Sequence, residues 1–189
     1  MKKILILLLA SLAGSLGVGA APQQASDPQV EKVLVIFKTH LDIGFTDLSS
    51  KVEQRYIDYY IPKAIEVARR LREEGGDERY VWTTGAWLVD AYLRQATPEA
   101  AAELEEAIRR GDIVWNGVPY TVESESMNRA LFEGILRLSQ RLDARFGKHT
   151  SAAKMTDVPG HTRSIVPLLS EAGIGFLHVG TNPAVSVPD

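Results

Sequence analysis

VLVIFKTHLDIGFTD, residues 33–47, joins an apolar run to a group of polar residues. Residues 33–37 are apolar and partly β-branched, which predicts a buried strand over residues 33–39. His40 and Asp42 follow at the carboxyl end of this strand, and side chains two positions apart on an extended strand point the same way. The stretch therefore predicts a core strand that presents an imidazole and a carboxylate to one ion or one substrate.

The rest of the sequence alternates predicted strands with predicted helices. Four further strands are predicted at residues 80–84, 113–118, 152–156 and 176–180. Helices are predicted at residues 50–74, 87–95, 98–110, 126–146 and 162–172, and Pro62 is expected to split the first of them in two. This alternation favours an α/β fold of parallel strands joined by right-handed crossovers. The strands are apolar without strict alternation, as expected when both faces of a sheet are covered.

The first twenty residues match a secretory signal peptide. A pair of lysines precedes the apolar residues 4–10, and residues 18–20 fit a small-residue cleavage site. We therefore expect residues 1–20 to be removed on export, residues 21–31 to form a polar leader, and the mature protein to be periplasmic or secreted. A retained membrane anchor is the alternative, and the glycines and serines in the stretch disfavour it.

The composition excludes several classes of function. The chain has 189 residues, of which 45% are hydrophobic and 24% are charged, as in a globular protein with a real core. Its formal net charge is −3, or −5 without the two N-terminal lysines, which gives no support for binding to nucleic acid or to an anionic membrane after cleavage. There are no cysteines, so disulfides, thiolate metal sites and cysteine nucleophiles are excluded. Dinucleotide, nucleoside triphosphate and serine-esterase motifs are also missing.

A second polar group, KMTDVPGHT at residues 154–162, follows the predicted fourth strand. Asp157 comes at the end of that strand, and His161 follows a Pro-Gly turn. Ligands of parallel α/β folds bind at the carboxyl ends of the strands, so we expect Asp157 to meet His40 and Asp42. Imidazole nitrogen and carboxylate oxygen are ligands that zinc or a related divalent cation takes. The two motifs together predict a metal site.

Each of these residues also has a purely structural interpretation. His40 and Asp42 are compatible with a hydrogen-bonded pair, and Asp157 is compatible with the N-cap of the next helix. Glu123 and Glu125 follow the third strand on the predicted ligand side. They are either substrate-binding acids or the acidic first turn of the following helix.

Three segments of the chain resemble glycoside hydrolase family 38, the α-mannosidases. THLDIGF at residues 39–45 resembles the family's first catalytic motif, and TDVPGHT at residues 156–162 resembles its nucleophile motif. GDIVWNGVPYTVESESMN at residues 111–128 resembles the third-strand segment, which ends in an acidic pair before a helix. The resemblance covers residues 33–182. It implies that residues 32–189 are the N-terminal part of a seven-stranded β/α barrel that holds zinc or another divalent cation.

The resemblance also implies a role for each matching residue. His40 and Asp42 would be metal ligands, and Asp157 would be both a ligand and the nucleophile that forms a covalent glycosyl-enzyme. Phe45 would stack against the sugar ring, and His161 would contact the ligands rather than the metal. The implied activity is that of a metal-dependent, retaining glycosidase acting on a carbohydrate.

The sequence departs from the family's pattern in three ways. The family's fourth metal ligand and its acid/base lie further along than residue 189, so we expect an incomplete fragment that is inactive alone and lacks the remaining half of the barrel. The nucleophile motif lacks the family's phenylalanine, and Thr181 and Asn182 stand where the family has an arginine. Two other functions stay open: a non-catalytic glycan-binding protein on the same scaffold, and a metal-dependent carbohydrate deacetylase. The deacetylase chemistry requires an Asp-Asp pair and a His-x-x-x-His pair that the sequence does not show.

Overall fold

The computed structural model describes residues 31–33 and 35–182. The chain separates into two units, residues 1–34 and residues 35–189. In the first unit, residues 31–33 are exposed and have no regular secondary structure. The predicted signal peptide and nearly all of the predicted leader lie outside the described residues. Everything below concerns the second unit.

The second unit alternates strands with helices, as predicted. The strands are β1 (Phe37–Lys38), β2 (Trp82–Gly85), β3 (Ile113–Asn116), β4 (Ala152–Val158) and β5 (Phe176–Thr181). The helices are α1 (Ser49–Arg55), α2 (Ile61–Glu73), α3 (Ala86–Gln95), α4 (Pro98–Arg110), α5 (Arg129–Phe146) and α6 (Ile165–Glu171). A π-helical turn (Tyr56–Tyr60) joins α1 to α2, and a 3₁₀ turn (Ser124–Ser126) precedes α5.

The paired strands of the described residues are all parallel, which confirms the predicted α/β class. One sheet has the order β1-β2-β3, and a second sheet consists of β4 and β5. Between the sheets, the Gly117 N–H donates to the Ala152 carbonyl at 2.9 Å, just beyond the end of β3. A Cβ at Gly117 would collide with the end of the Ile174 side chain and lie 3.3 Å from the Ala152 carbonyl oxygen, so the absence of a side chain favours this approach of the two sheets. The described strands form two open sheets, and the seven-stranded barrel stays a prediction.

Helices cover one face of each sheet. Trp82 and Trp115 project from β2 and β3 into a core shared with α2, α3 and α4. Ala153 and Met155 project from β4 into a second core shared with α5 and α6. Burying a side chain of the size of Met155 contributes about 1.5–3 kcal/mol. These two cores fix β2, β3 and β4 in place.

The alternating residues of the strands lie on the opposite face, which we call the open face. It is defined in the first sheet by the paired residues Lys38, Thr83 and Val114. In the second sheet it is defined by Thr156 and by Lys154, whose partner in the ladder is His178. Each of these residues is next in sequence either to a residue that faces the helices or to the ladder partner of such a residue. Because side chains alternate along a strand, its own side chain points away from the helices.

β1 departs most from the prediction. A buried strand was expected over residues 33–39, whereas the ladder covers only Phe37–Lys38. Val35 and Ile36 are 73% and 70% exposed. β1 pairs with β2 on one side only, and no helix of the described residues covers these side chains. The expectation that both faces of every strand are covered is wrong here, and also in β5, where Phe176 is largely exposed.

The first helical segment consists of two α-helices, α1 and α2, as predicted, but a π-helical turn separates them instead of a break at Pro62. Pro62 lies in the first turn of α2, and the chain stays helical from residue 49 to residue 73. Just before the proline, the Ile61 N–H donates to the Tyr56 carbonyl, five residues back, instead of four. Because proline lacks an N–H and its ring crowds the carbonyl four residues earlier, the helix widens locally instead of breaking.

Candidate metal centre

Three side chains predicted as ligands lie together at the carboxyl ends of β1 and β4. His40 Nε2 is 3.2 Å from Asp42 Oδ1 and 3.3 Å from Asp157 Oδ2. One donor atom from each residue lies within 4.8 Å of the other two, and no other group of this kind occurs among the described residues. Ligand atoms around tetrahedral zinc, with bonds of about 2.1 Å, are roughly 3.4 Å apart. The donor set and its spacing therefore fit a divalent cation.

All three side chains remain accessible. The exposed fractions are 42% for His40, 37% for Asp42 and 46% for Asp157. Water therefore solvates the two carboxylates in part, which lowers the energetic cost of placing them together. An ion and a substrate can reach the same three side chains from solvent.

Asp157 owes its position to an irregularity in β4. Thr156 pairs with Gly180 and Val158 pairs with Thr181, so Asp157 is the extra residue of a bulge. Its φ of +65° lies in the left-handed region, which aspartate adopts more readily than most residues other than glycine. Non-glycine residues in this region are uncommon, and they cluster at functional sites. The alternative that Asp157 caps a helix is wrong, because α6 begins only at Ile165.

Two residues with no predicted role hold the cluster in place. Asn182 Nδ2 donates to Asp157 Oδ1 at 2.9 Å and so fixes the carboxylate that also faces His40. The Tyr56 hydroxyl donates to the His40 carbonyl at 3.3 Å. Burial, and then the charges of Tyr60 and Asp42, raise the pKa of Tyr56, so this phenol stays protonated as a donor. Asn182 was noticed in the sequence only as a departure from the family's arginine, and Tyr56 had no signal because it reaches the site from a helix.

His161 forms a hydrogen bond with Ser124, in the segment after β3. Among the described residues, the structure shows no hydrogen bond between His161 and any of the three predicted ligands. His161 Nδ1 lies 3.3 Å from Ser124 Oγ, which also accepts the Thr162 N–H at 3.0 Å. Burial lowers the pKa of His161 from its ordinary value, although Glu123 and Glu125 act in the opposite direction, so the imidazole is neutral at pH 7. Its Nε2 is buried and has no hydrogen-bond partner among the described residues. Its predicted contact with the ligands stays a prediction.

The predicted substrate-binding residues lie on exposed segments. Phe45 is 87% exposed in the loop after β1. Glu123 and Glu125 are exposed on either side of the buried Ser124. Both acids precede Asn128, the N-cap of α5, so the alternative that they form the first turn of that helix is wrong. Their part in substrate binding stays a prediction.

Comparison with known proteins adds one match. The family model described as "Glycosyl hydrolases family 38 N-terminal domain" matches residues 31–180, more than half of the chain. The matched segment contains His40, Asp42 and Asp157. No curated protein matches the sequence. Within the described residues, no helix is both long enough and apolar enough to cross a membrane.

Proposed function

This chain belongs to glycosyl hydrolases family 38, and on that premise we propose that it supplies the metal-binding and nucleophilic part of a retaining glycosidase site. The observation that carries the proposal is the meeting of His40, Asp42 and Asp157 within 4.8 Å. Two strands that are distant in sequence and belong to different sheets bring these side chains together at their carboxyl ends. A general structural role would not require that convergence of one imidazole and two carboxylates.

His40, Asp42 and Asp157 would each offer one ligand atom to zinc or a related divalent cation. When bound, the cation would polarise sugar hydroxyls and neutralise the two carboxylates. The Asp157 oxygen that faces His40 is Oδ2, whereas Oδ1 is held by Asn182. Asn182 therefore fixes the rotation of the carboxylate and leaves Oδ2 directed towards His40.

Asp157 would act as the nucleophile. Its carboxylate would attack the anomeric carbon of the sugar while the bond to the leaving oxygen breaks, and a second carboxyl group would give that oxygen its proton. Water would then hydrolyse the glycosyl ester and restore Asp157. In retaining enzymes the two carboxyl groups are about 5 Å apart, and we place the second one outside the described residues.

The finer parts of the proposal concern substrate and location. The motifs around His40 and Asp157 support a glycan substrate of the α-mannoside type. Phe45 is exposed enough to stack on a sugar ring, and Glu123 and Glu125 are exposed enough to bind its hydroxyls. The signal-peptide pattern of residues 1–20 supports export to the periplasm or beyond the cell.

Metal binding can be measured directly on the full chain. After treatment with a chelator, titration calorimetry with zinc should show one site, and Asp42→Asn or Asp157→Asn should weaken it by more than about 100-fold. Asp47→Asn is the matched control, because Asp47 lies in the same loop but pairs with Lys51 and Arg55. Unchanged zinc affinity in both site variants would contradict the proposal.

Turnover separates the proposal from its alternatives. A protein that contains both Asp157 and the second carboxyl group, which protonates the leaving oxygen, should cleave α-mannosides. Asp157→Asn should abolish this cleavage. A glycan-binding protein would keep its glycan affinity in that variant and would show no cleavage in the unmodified protein. Release of acetate from an acetylated sugar would instead identify a deacetylase.

A further inference from the structure

Two lysines meet on the open face, close to the candidate metal centre. Lys154 lies on β4, three positions before Asp157, and its ammonium donates to Thr156 Oγ1 at 2.7 Å. Lys38 lies on β1, two positions before His40, and its side chain contacts that of Lys154. The same pair of strands therefore presents both the acidic cluster and a basic pair.

No carboxylate of the described residues lies within 4.0 Å of either ammonium, although fourteen pairs between a lysine or arginine and a carboxylate occur elsewhere in that part of the chain. Two like charges in contact, one of them half-buried, destabilise each other unless an anion is present. In agreement with this, burial and then Lys38 lower the pKa of Lys154 to about 8. The basic pair has the composition of an anion site.

A small cleft connects Lys154 with His40. It is about 40 Å³ in volume, and Thr84 and Asn116 also line it. Thr84 is only 1% exposed, and its hydroxyl oxygen has no hydrogen-bond partner among the described residues. A volume of this size admits about three water-sized groups, which suits a carboxylate better than a sugar ring.

We propose that Lys38 and Lys154 bind the anionic group of a charged sugar whose ring lies at the candidate metal centre. The proposed function supplies the premise that a sugar occupies the metal centre. The substrate class is then a glycan of the α-mannoside type whose sugar carries a carboxylate or a sulfate group. Two ammonium groups match the oxygens of either anion through charge-assisted hydrogen bonds, which are roughly twice as strong as neutral ones.

The test compares sugars of one stereochemistry on the full chain: D-mannose, D-mannuronate and D-mannose 6-sulfate, each titrated by NMR. A chelator is present, so that the anion cannot bind through a metal. At least one anionic sugar should bind about tenfold tighter than mannose, and the stronger of the two identifies carboxylate or sulfate as the recognised group. Lys38→Met with Lys154→Met should remove the preference, whereas Lys51→Met, which removes an exposed lysine paired with Asp47, should not.

Equal affinity for the three sugars, including no measurable binding of any, would overturn the inference, as would a preference that survives in the double variant. Methionine keeps the length of the side chain, and thermal unfolding of each variant verifies that it folds. Zinc titration of the same samples keeps the two proposals apart. A lysine-dependent preference for the anionic sugar without zinc binding would refute the metal centre and support the anion site. Zinc binding without that preference would support the metal centre and refute the anion site.

Discussion

The candidate site is built from two regions of very different construction. On one side, β4 forms a seven-residue strand, pairs along its length with β5, and buries Met155 completely. On the other side, β1 contributes two residues to an edge ladder, and Val35 and Ile36 before it are exposed. Asp157 thus stands on a packed strand, whereas His40 and Asp42 stand on a thinly supported edge.

This difference indicates that β4 holds Asp157 in a fixed position, whereas the β1 side should be ordered by a ligand. The β4 ladder is rigid enough to hold Asp157 in a left-handed conformation, so the proposed nucleophile has a fixed position. The β1 side is held by few bonds, among them those of the Thr39 N–H to Thr83 and of Tyr56 to His40. Regions with few buried contacts open at low free energy. The β1 side is therefore the part that a bound ligand should order.

The largest effect is expected from a change in the core beneath β4. Met155→Ala should lower the free energy of unfolding by about 2–5 kcal/mol, because Met155 is fully buried between β4 and the helices. Val35→Ala is the matched change on the β1 side, and it should alter stability by less than about 0.5 kcal/mol because Val35 is 73% exposed. Urea denaturation of both variants checks the comparison. Similar losses in the two variants would show that β1 is packed as well as β4.

Zinc should affect the two regions unequally. At a concentration of 100 times its Kd, a ligand stabilises the folded chain by about 2.7 kcal/mol. Hydrogen exchange at the Thr39 amide, which donates to Thr83, should slow more than exchange within the β4 ladder. Asp42→Asn should remove this protection, and a chelator should reverse it. Equal protection of β1 and β4 would contradict the idea that the ligand orders the edge.

The backbone strain at Asp157 predicts an order of stability among variants. Asp157→Gly should be more stable than Asp157→Ala by roughly 1–2 kcal/mol, because glycine adopts a φ of +65° without the steric cost that alanine meets. Both variants remove the carboxylate, so the difference isolates the backbone. Thermal unfolding of the pair measures it. Equal stability would mean that the bulge relaxes when the side chain is lost.

The sequence was sufficient for those features that depend on local pattern. The α4 boundaries follow from Thr97, Pro98 and Gly111, and the structure confirms each of them. The predicted ligand positions followed from polar residues at predicted strand ends, and the structure brings His40 Nε2 to 3.3 Å from Asp157 Oδ2. Local pattern determines caps and strand ends because the required conformations are set by one or two residues.

Features that depend on contacts distant in sequence could not be predicted in this way. The bulge at Asp157 depends on how β4 pairs with β5, and the bond from Asn182 depends on that same register. The exposure of Val35 depends on its position at a sheet edge, which apolar composition does not reveal. The contact of Lys38 with Lys154 required the two sheets to be placed together.

That lysine contact gives the smallest effect, and it tests whether the β1 side is ordered before any ligand binds. Burial and Lys38 disfavour the charged form of Lys154, whose pKa falls from 10.5 to about 8. Between these two pH values the unfolded chain binds more protons than the folded chain, so the free energy of unfolding rises with pH across that window. Because solvent screens the partly exposed ammonium, the rise should be small. NMR titration of Lys154 should show its pKa moving back towards 10.5 in Lys38→Met, with Lys51→Met as control. A pKa of Lys154 that is unaffected by Lys38→Met would mean that β1 does not hold its lysine against β4 in solution.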